Sequence, residues 1–188
     1  MFDKELELIL DDDFRDDIKT ILSNLPIYFY EVPASSTGKY HPSFSLGEGG
    51  LVRHTKVAVR IARELLQLKQ FDFNDFEQDL IYGSLIIHDG LKYGMDYDVN
   101  SYFLHPQYIS NFVIELLGQG KFKSERTTMI MLAHVVATHM GQWNTNKYSI
   151  HELPLPQTEV DNFVHLCDYL SSRKFLDVKF DDDNNIIE

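Results

Sequence analysis

Apolar residues recur along this chain mainly at helical spacing. Residues 3 to 23 place Leu6, Ile9, Leu10, Phe14, Ile18 and Leu22 on one stripe, interrupted by the acidic run Asp11 to Asp13, which predicts one or two short helices. From Pro26 to Gly50 the pattern dissolves among Pro33, Gly38, Pro42, Gly47, Gly49 and Gly50, so a long ordered loop is expected there. Loops of that length often carry function. Helical spacing returns over Leu51 to Leu68, where Val57, Ala58, Ile61, Ala62, Leu65 and Leu66 extend the stripe and basic residues fill the gaps. Asn74 is a good N-cap for a helix that runs through Leu80, Ile81, Leu85 and Ile86 into His88 and Asp89. Gly90 to Ser101 reads as loop.

Helices over Pro106 to Leu117 and Ser124 to Met140 follow, the first stopped by Gly118 and Gly120, the second by Gly141. Pro154 and Pro156 then break the chain before a last helix from about Gln157 to Leu170. The expected fold class is all-α, a helical bundle. With no internal repeat or low-complexity linker, one domain over residues 1–188 is the simplest parse. It has a helical extension at 1–25, a core at about 41–172 and a polar, mostly acidic tail at 173–188.

Composition narrows the function classes. A chain of 188 residues with 44% apolar and 24% charged residues is long enough to bury a core without disulfides. Seventeen Lys and Arg against 29 Asp and Glu give a net charge of -12, the wrong sign for tracking long duplex nucleic acid. The single Cys167 has no disulfide partner within the chain, and Met1 to Asp13 carries Asp3, Glu5 and Glu7 instead of a signal-peptide pattern. No apolar run reaches membrane-spanning length. A cytoplasmic protein without a membrane contact is therefore expected. No motif fixes the oligomeric state, although Tyr28, Phe29 and Tyr30 would offer a partner surface if exposed.

The chemistry concentrates in the histidines. Of the eight, His54, His88, His105, His134 and His139 each fall on or at the end of a predicted helix, and Asp89 directly follows His88. Imidazoles and carboxylates aimed inward from several helices are how helical bundles build metal sites. His41, His151 and His165 read most simply as structural or exposed, with His165 one turn before Asp168 and placed to orient it. Arg53, Lys56, Arg60 and Arg63 read as surface charges of their helix. Gly49 and Gly50 read as a tight turn before it. Trp143, just past His139, is a candidate to stack on a substrate base.

The order His54, His88-Asp89, Asp168 resembles the H…HD…D signature of the HD-domain superfamily of metal-dependent phosphohydrolases. Gly49-Gly50-Leu51-Val52-Arg53-His54-Thr55 resembles its GGL-x-x-HT segment, and Ile86-Ile87-His88-Asp89-Gly90-Leu91-Lys92 resembles LLHDIGK. Leu104-His105, the stretch from His134 to Gly141, and His165 to Asp168 are similar to segments of one branch, the HD-domain 3′-to-5′ exoribonucleases. Met140 stands where that branch has a second His, while His139 keeps the first. The residues before His41 are too few for the OB domain those enzymes carry, which favours a small substrate over a polymer.

The resemblance implies an HD-domain bundle with an interior site for one or two divalent transition-metal ions (Mn, Fe, Ni, Co or Zn). It implies His54, His88, Asp89 and Asp168 as ligands of one ion, and Asp89 and His105 with His134, His139 or both as ligands of a second. Asp89 and Lys92 are the implied catalytic residues, Lys92 neutralising charge on the phosphoryl oxygens. The implied activity is hydrolysis of a phosphoester of a nucleotide or short oligonucleotide by a metal-activated water. Alternatives are a 3′-to-5′ exonuclease on single strands, a diiron oxygenase, or a binding module without turnover.

Overall fold

A computed structural model describes residues 1–35, 37–174, 179–180 and 186–187. Seven α-helices account for its bulk: α1 Asp3–Leu6, α2 Asp12–Asn24, α3 Gly50–Leu65, α4 Asp75–Ile87, α5 His105–Gly118, α6 Arg126–Thr138 and α7 Glu159–Ser171. The fold is all-helical, as expected, apart from two-residue strands at Lys179–Phe180 and Ile186–Ile187 that pair antiparallel near the C-terminus. The acidic run Asp181 to Asn185 expected as a solvated tail lies outside the described residues.

Local sequence sets most helix starts. Asp11 accepts from the Phe14 amide to begin α2, and Asn74 and Glu77 form a reciprocal capping box at α4. Thr158 and Asp161 form another at α7. The turn into α3 depends on Gly49, which sits at φ 68° in the left-handed region, and on Gly50, where a Cβ would come within 2.3 Å of the Ser45 carbonyl. The amides of Gly49 and Leu51 donate to the Glu31 and Val32 carbonyls, so this turn is occupied by the chain itself. Gly49 and Gly50 thus serve the turn.

Helix α4 is buried on every side from Asp79 to Ile87 and lies at the centre, packed against α2, α3, α6 and α7. Leu80, Ile81, Leu85, Ile86 and Ile87 are all buried; truncating any one of these to Ala costs about 2–5 kcal/mol. The consequence is functional, because the residues that follow α4 are delivered into the middle of the bundle. One cluster of buried side chains runs from Phe2 to Cys167, so α1 and α2 share the core with the later helices. Buried carboxylates fasten them: Asp79 accepts from the Leu10 and Asp11 amides at 2.7 and 2.8 Å, and Asp17 from the Lys123 and Ser124 amides at 2.8 and 2.9 Å.

The expected loop from Pro26 to Gly50 holds two short 3-10 helices, Ile27–Tyr30 and Ser43–Ser45. Tyr28 and Phe29 are buried within it, so the exposure that a partner surface there would need is not met. The Tyr28 hydroxyl donates to the Gly94 carbonyl at 2.7 Å, and the Tyr30 hydroxyl donates to the Leu22 carbonyl at 2.8 Å. Those bonds make the aromatic run a brace between the loop and the helices. Arg53, Arg60 and Arg63 are exposed, and Lys56 pairs with Glu5 at 2.9 Å, so the basic residues of α3 are structural surface charges. No helix among the described residues is long and apolar enough to cross a membrane.

Candidate metal centre

Helix ends build this site. The last carbonyls of a helix lack partners within it, and histidines placed there take them up. His88 follows α4 and donates its Nδ1–H to the Leu85 carbonyl at 2.7 Å. His139 follows α6 and donates to Val136 at 2.6 Å. His105 opens α5 after a 3-10 helix (Val99–Leu104) and donates to the Tyr102 carbonyl at 2.6 Å. His54 lies inside α3, where no such carbonyl is free, and uses Ser171 of α7 instead, at 3.0 Å. The Ser171 hydroxyl gives its own hydrogen to the Asp168 carbonyl, so it accepts from His54.

With every Nδ1 protonated, the four Nε2 atoms carry lone pairs when the rings are neutral, and they converge. His54 and His88 face each other at 3.4 Å, and His105 and His139 at 2.9 Å. The carboxylates close the two groups. Asp168 Oδ1 lies 2.9 Å from His54 Nε2 and 3.4 Å from His88 Nε2. Asp89 divides its oxygens: Oδ2 is 3.7 Å from both His54 and His88, while Oδ1 is 2.9 Å from His105 and 3.9 Å from His139.

Two groups able to hold a metal ion result, His54–His88–Asp89 and Asp89–His105–His139, sharing Asp89. Asp168 stands beside the first. Lone pairs converging at these distances repel unless a proton or a metal ion lies between them, and imidazole and carboxylate donors suit a divalent transition metal. The hydrogen bond on each far nitrogen is the usual partner of a metal-binding histidine. The donor set therefore fits such an ion.

Burial and charge in the cluster act against one another. Burial disfavours the charged forms of Asp89 and Asp168, but neighbouring imidazoles outweigh it, together with Lys92 in the case of Asp89, and hold both well below the usual carboxylate range. Burial likewise opposes the imidazolium of His88, yet Asp89 and Asp168 raise it to about 9. His139 goes the other way: burial, then His105 and His88, lower it to about 3. Cys167, buried one position before Asp168, has its thiol pushed up by burial and is inert.

His134 does not join the cluster with which it was expected. Its Nε2 contacts Asp161 Oδ2 at 3.1 Å, and that same oxygen accepts from the Gln157 and Thr158 amides at the start of α7. Five residues before His139 on the same helix, it faces a different direction because five residues turn an α-helix by about 140° past a full turn. His134 ties α6 to α7.

The cluster lines a cavity of about 1000 Å³, large enough for a small-molecule ligand. Lys92 lines it too, its amine bound to the Ala34 carbonyl. Met140 is also on its wall. His41 and His165, expected to be structural or exposed, both border it. The His41 ring is 5.9 Å from that of His54, and burial, then His54 and Lys92, lower its pKa to about 4. His165 binds the His139 carbonyl through Nδ1 at 2.7 Å, a longer-range role than orienting Asp168. Its ring fits only because Gly141, at φ 56°, has no Cβ; one there would lie 2.4 Å from it. His151 is exposed.

Trp143 is on the cavity wall, stacked on Tyr169 with centroids 5.0 Å apart and planes at 16°. Ser171, Tyr40, Tyr169 and Arg173 belong to no motif of the sequence that marks them as part of the site. Ser171 carries no local signal, being 117 residues from the histidine it serves. Comparison with family models, with curated proteins and with solved structures finds no match.

Proposed function

We propose that this chain is an HD-domain metal-dependent phosphohydrolase that cleaves a phosphoester of a nucleotide or short oligonucleotide. The observation that carries the proposal is the division of Asp89 between two histidine pairs at the wall of a cavity of about 1000 Å³. His54, His88, Asp89 and Asp168 would hold one ion, and Asp89, His105 and His139 a second. Such a pair supplies Lewis acidity toward a phosphoryl oxygen and lowers the pKa of water.

The chain's own residues do the remainder. Asp89 and Asp168, kept ionised by their neighbours, offset the charge of the cations. Lys92 stands near Asp89 and neutralises charge that accumulates on phosphoryl oxygens. The bonds from Nδ1 to Leu85, Tyr102, Val136 and Ser171 fix each imidazole before substrate arrives, which lowers the reorganisation needed in the reaction. The acidic surface favours a small substrate drawn to a locally cationic site over a polymer spread across the surface.

The test is phosphate or nucleotide release from mononucleotides, cyclic nucleotides and short single strands, with Mn²⁺, Fe²⁺, Co²⁺, Ni²⁺ or Zn²⁺ added and Asp89→Ala as control. Turnover that disappears in Asp89→Ala is expected, and the preferred substrate separates the nucleotide hydrolase from the exonuclease. Bound iron with O₂ uptake and no hydrolysis would instead establish an oxygenase, and metal-independent binding without turnover a binding module.

A further inference from the structure

Two cations line the cavity, and they are held differently. Lys92, three residues after Asp89, is anchored on the Ala34 carbonyl. Arg173, just past the end of α7, rests among three aromatic rings: its guanidinium carbon is 4.6 Å from the centroid of Tyr169, 5.5 Å from Tyr40 and 5.9 Å from Trp143. Its Nε and Nη2 both donate to Ser172 Oγ, at 3.0 and 2.9 Å. Nη1 makes no hydrogen bond among the described residues, and no carboxylate there pairs with the group.

That is unusual company for a guanidinium in a chain with 29 acidic and 17 basic residues. Aromatic faces attract the cation and hold its plane, but they do not satisfy the N–H donors on its edge. A planar, fixed set of donors matches the oxygens of phosphate or carboxylate and retains its charge at any working pH. The cavity is also larger than a single phosphate at the histidine cluster requires.

We propose that Arg173, held by Tyr40, Trp143 and Tyr169, is a second anion subsite of this cavity, and that the substrate class is a nucleotide carrying two separate phosphate groups. One phosphate lies at the histidine cluster with Lys92 and the other at Arg173. The substrate assignment rests on the phosphohydrolase reading above; the subsite itself does not.

Trp143 is the sole tryptophan of the chain, so its fluorescence reports at the subsite. The full chain is titrated with adenosine 3′,5′-bisphosphate and, separately, adenosine 5′-monophosphate, read by stopped flow so that binding precedes turnover. The wild type is expected to prefer the bisphosphate, and Arg173→Gln to reduce that preference by about 10- to 100-fold, the worth of a charge-assisted hydrogen bond. Arg173→Lys, which keeps the charge and loses the planar fork, falls between them. It also keeps the test valid if Arg173→Gln proves unfolded in a thermal scan.

A wild type without preference, or a preference unchanged in the variants, overturns the subsite. Equal weakening of both ligands overturns it as well, because Arg173 then serves a phosphate common to both. If the preference and its loss hold but no phosphoester is hydrolysed with any metal, the subsite stands and the phosphohydrolase reading falls.

Discussion

Replacing Ser171 with Ala removes one oxygen that touches no ion, yet it is expected to weaken one metal site selectively. His54 Nδ1–H donates to Ser171 Oγ at 3.0 Å in a place where both residues are almost fully buried. Without that oxygen the donor has no acceptor, which costs about 1–3 kcal/mol while the ring keeps its orientation. Rotation of the ring relieves the cost and withdraws Nε2 from the cluster. Loss of such a partner typically weakens metal binding by about 10–100-fold, or about 1.4–2.7 kcal/mol, so the two estimates agree.

The second bond of Ser171, to the Asp168 carbonyl at 2.7 Å, matters less, because that carbonyl also accepts from the Ser172 amide at 3.2 Å. Competition for Zn²⁺ against a chromophoric chelator resolves the two stepwise affinities. The site of His54, His88 and Asp168 should weaken, and the site of His105 and His139, whose nitrogens bind backbone carbonyls, should stay near the wild-type value. Equal weakening of both sites, or of neither, would refute the claim that Ser171 acts by fixing the His54 ring.

Binding to the folded chain alone should make metal a stabiliser of the fold. At free ion a hundred times its dissociation constant, one site contributes about 2.7 kcal/mol, a rise of about 5–11 °C in Tm for a chain of this size, which a thermal scan with and without chelator measures. The pH dependence follows from His88, whose pKa is raised to about 9, by Asp89 and Asp168 against the opposing effect of burial. Its imidazolium stabilises the metal-free fold fully below the ordinary value of 6.5, and that contribution is lost as pH rises through about 9. A metal must displace that proton, so affinity should increase over the same window, with proton release seen by calorimetry in buffers of different ionisation enthalpy. His139→Ala is expected to lose one ion per chain by elemental analysis. His134→Ala should keep the wild-type count and lose about 1 kcal/mol of stability in urea unfolding, as one bond to the buried Asp161 disappears.

Helices and most of the cluster were legible because the signals are local. Asn74 and Glu77 announce the start of α4 within four residues, and Leu80, Ile81, Leu85 and Ile86 carry the helix into His88 and Asp89. Period and order cannot say which way a side chain points after a helix ends. His134 and His139 look alike in sequence, and only their angular separation on α6 sends one to Asp161 and the other to His105. Residues that act across long sequence distances left no trace: Ser171 for His54, and Tyr40 for Arg173. In sequence His41 reads as structural or exposed because its loop has no period to orient it, whereas packing against His54 puts it on the cavity wall. Tyr28 and Phe29 were ambiguous between core and surface until their loop folded back on α2 and Gly94.

The most direct test of the shared-carboxylate centre is anomalous diffraction from crystals grown with Mn²⁺, recorded for the wild type and for Asp89→Asn. Two peaks are expected, about 3.5–4 Å apart, one among His54, His88 and Asp168 and one between His105 and His139, with Asp89 between them and at least one peak lost in the variant. A single peak away from Asp89, or two peaks that persist undiminished in Asp89→Asn, would contradict the account.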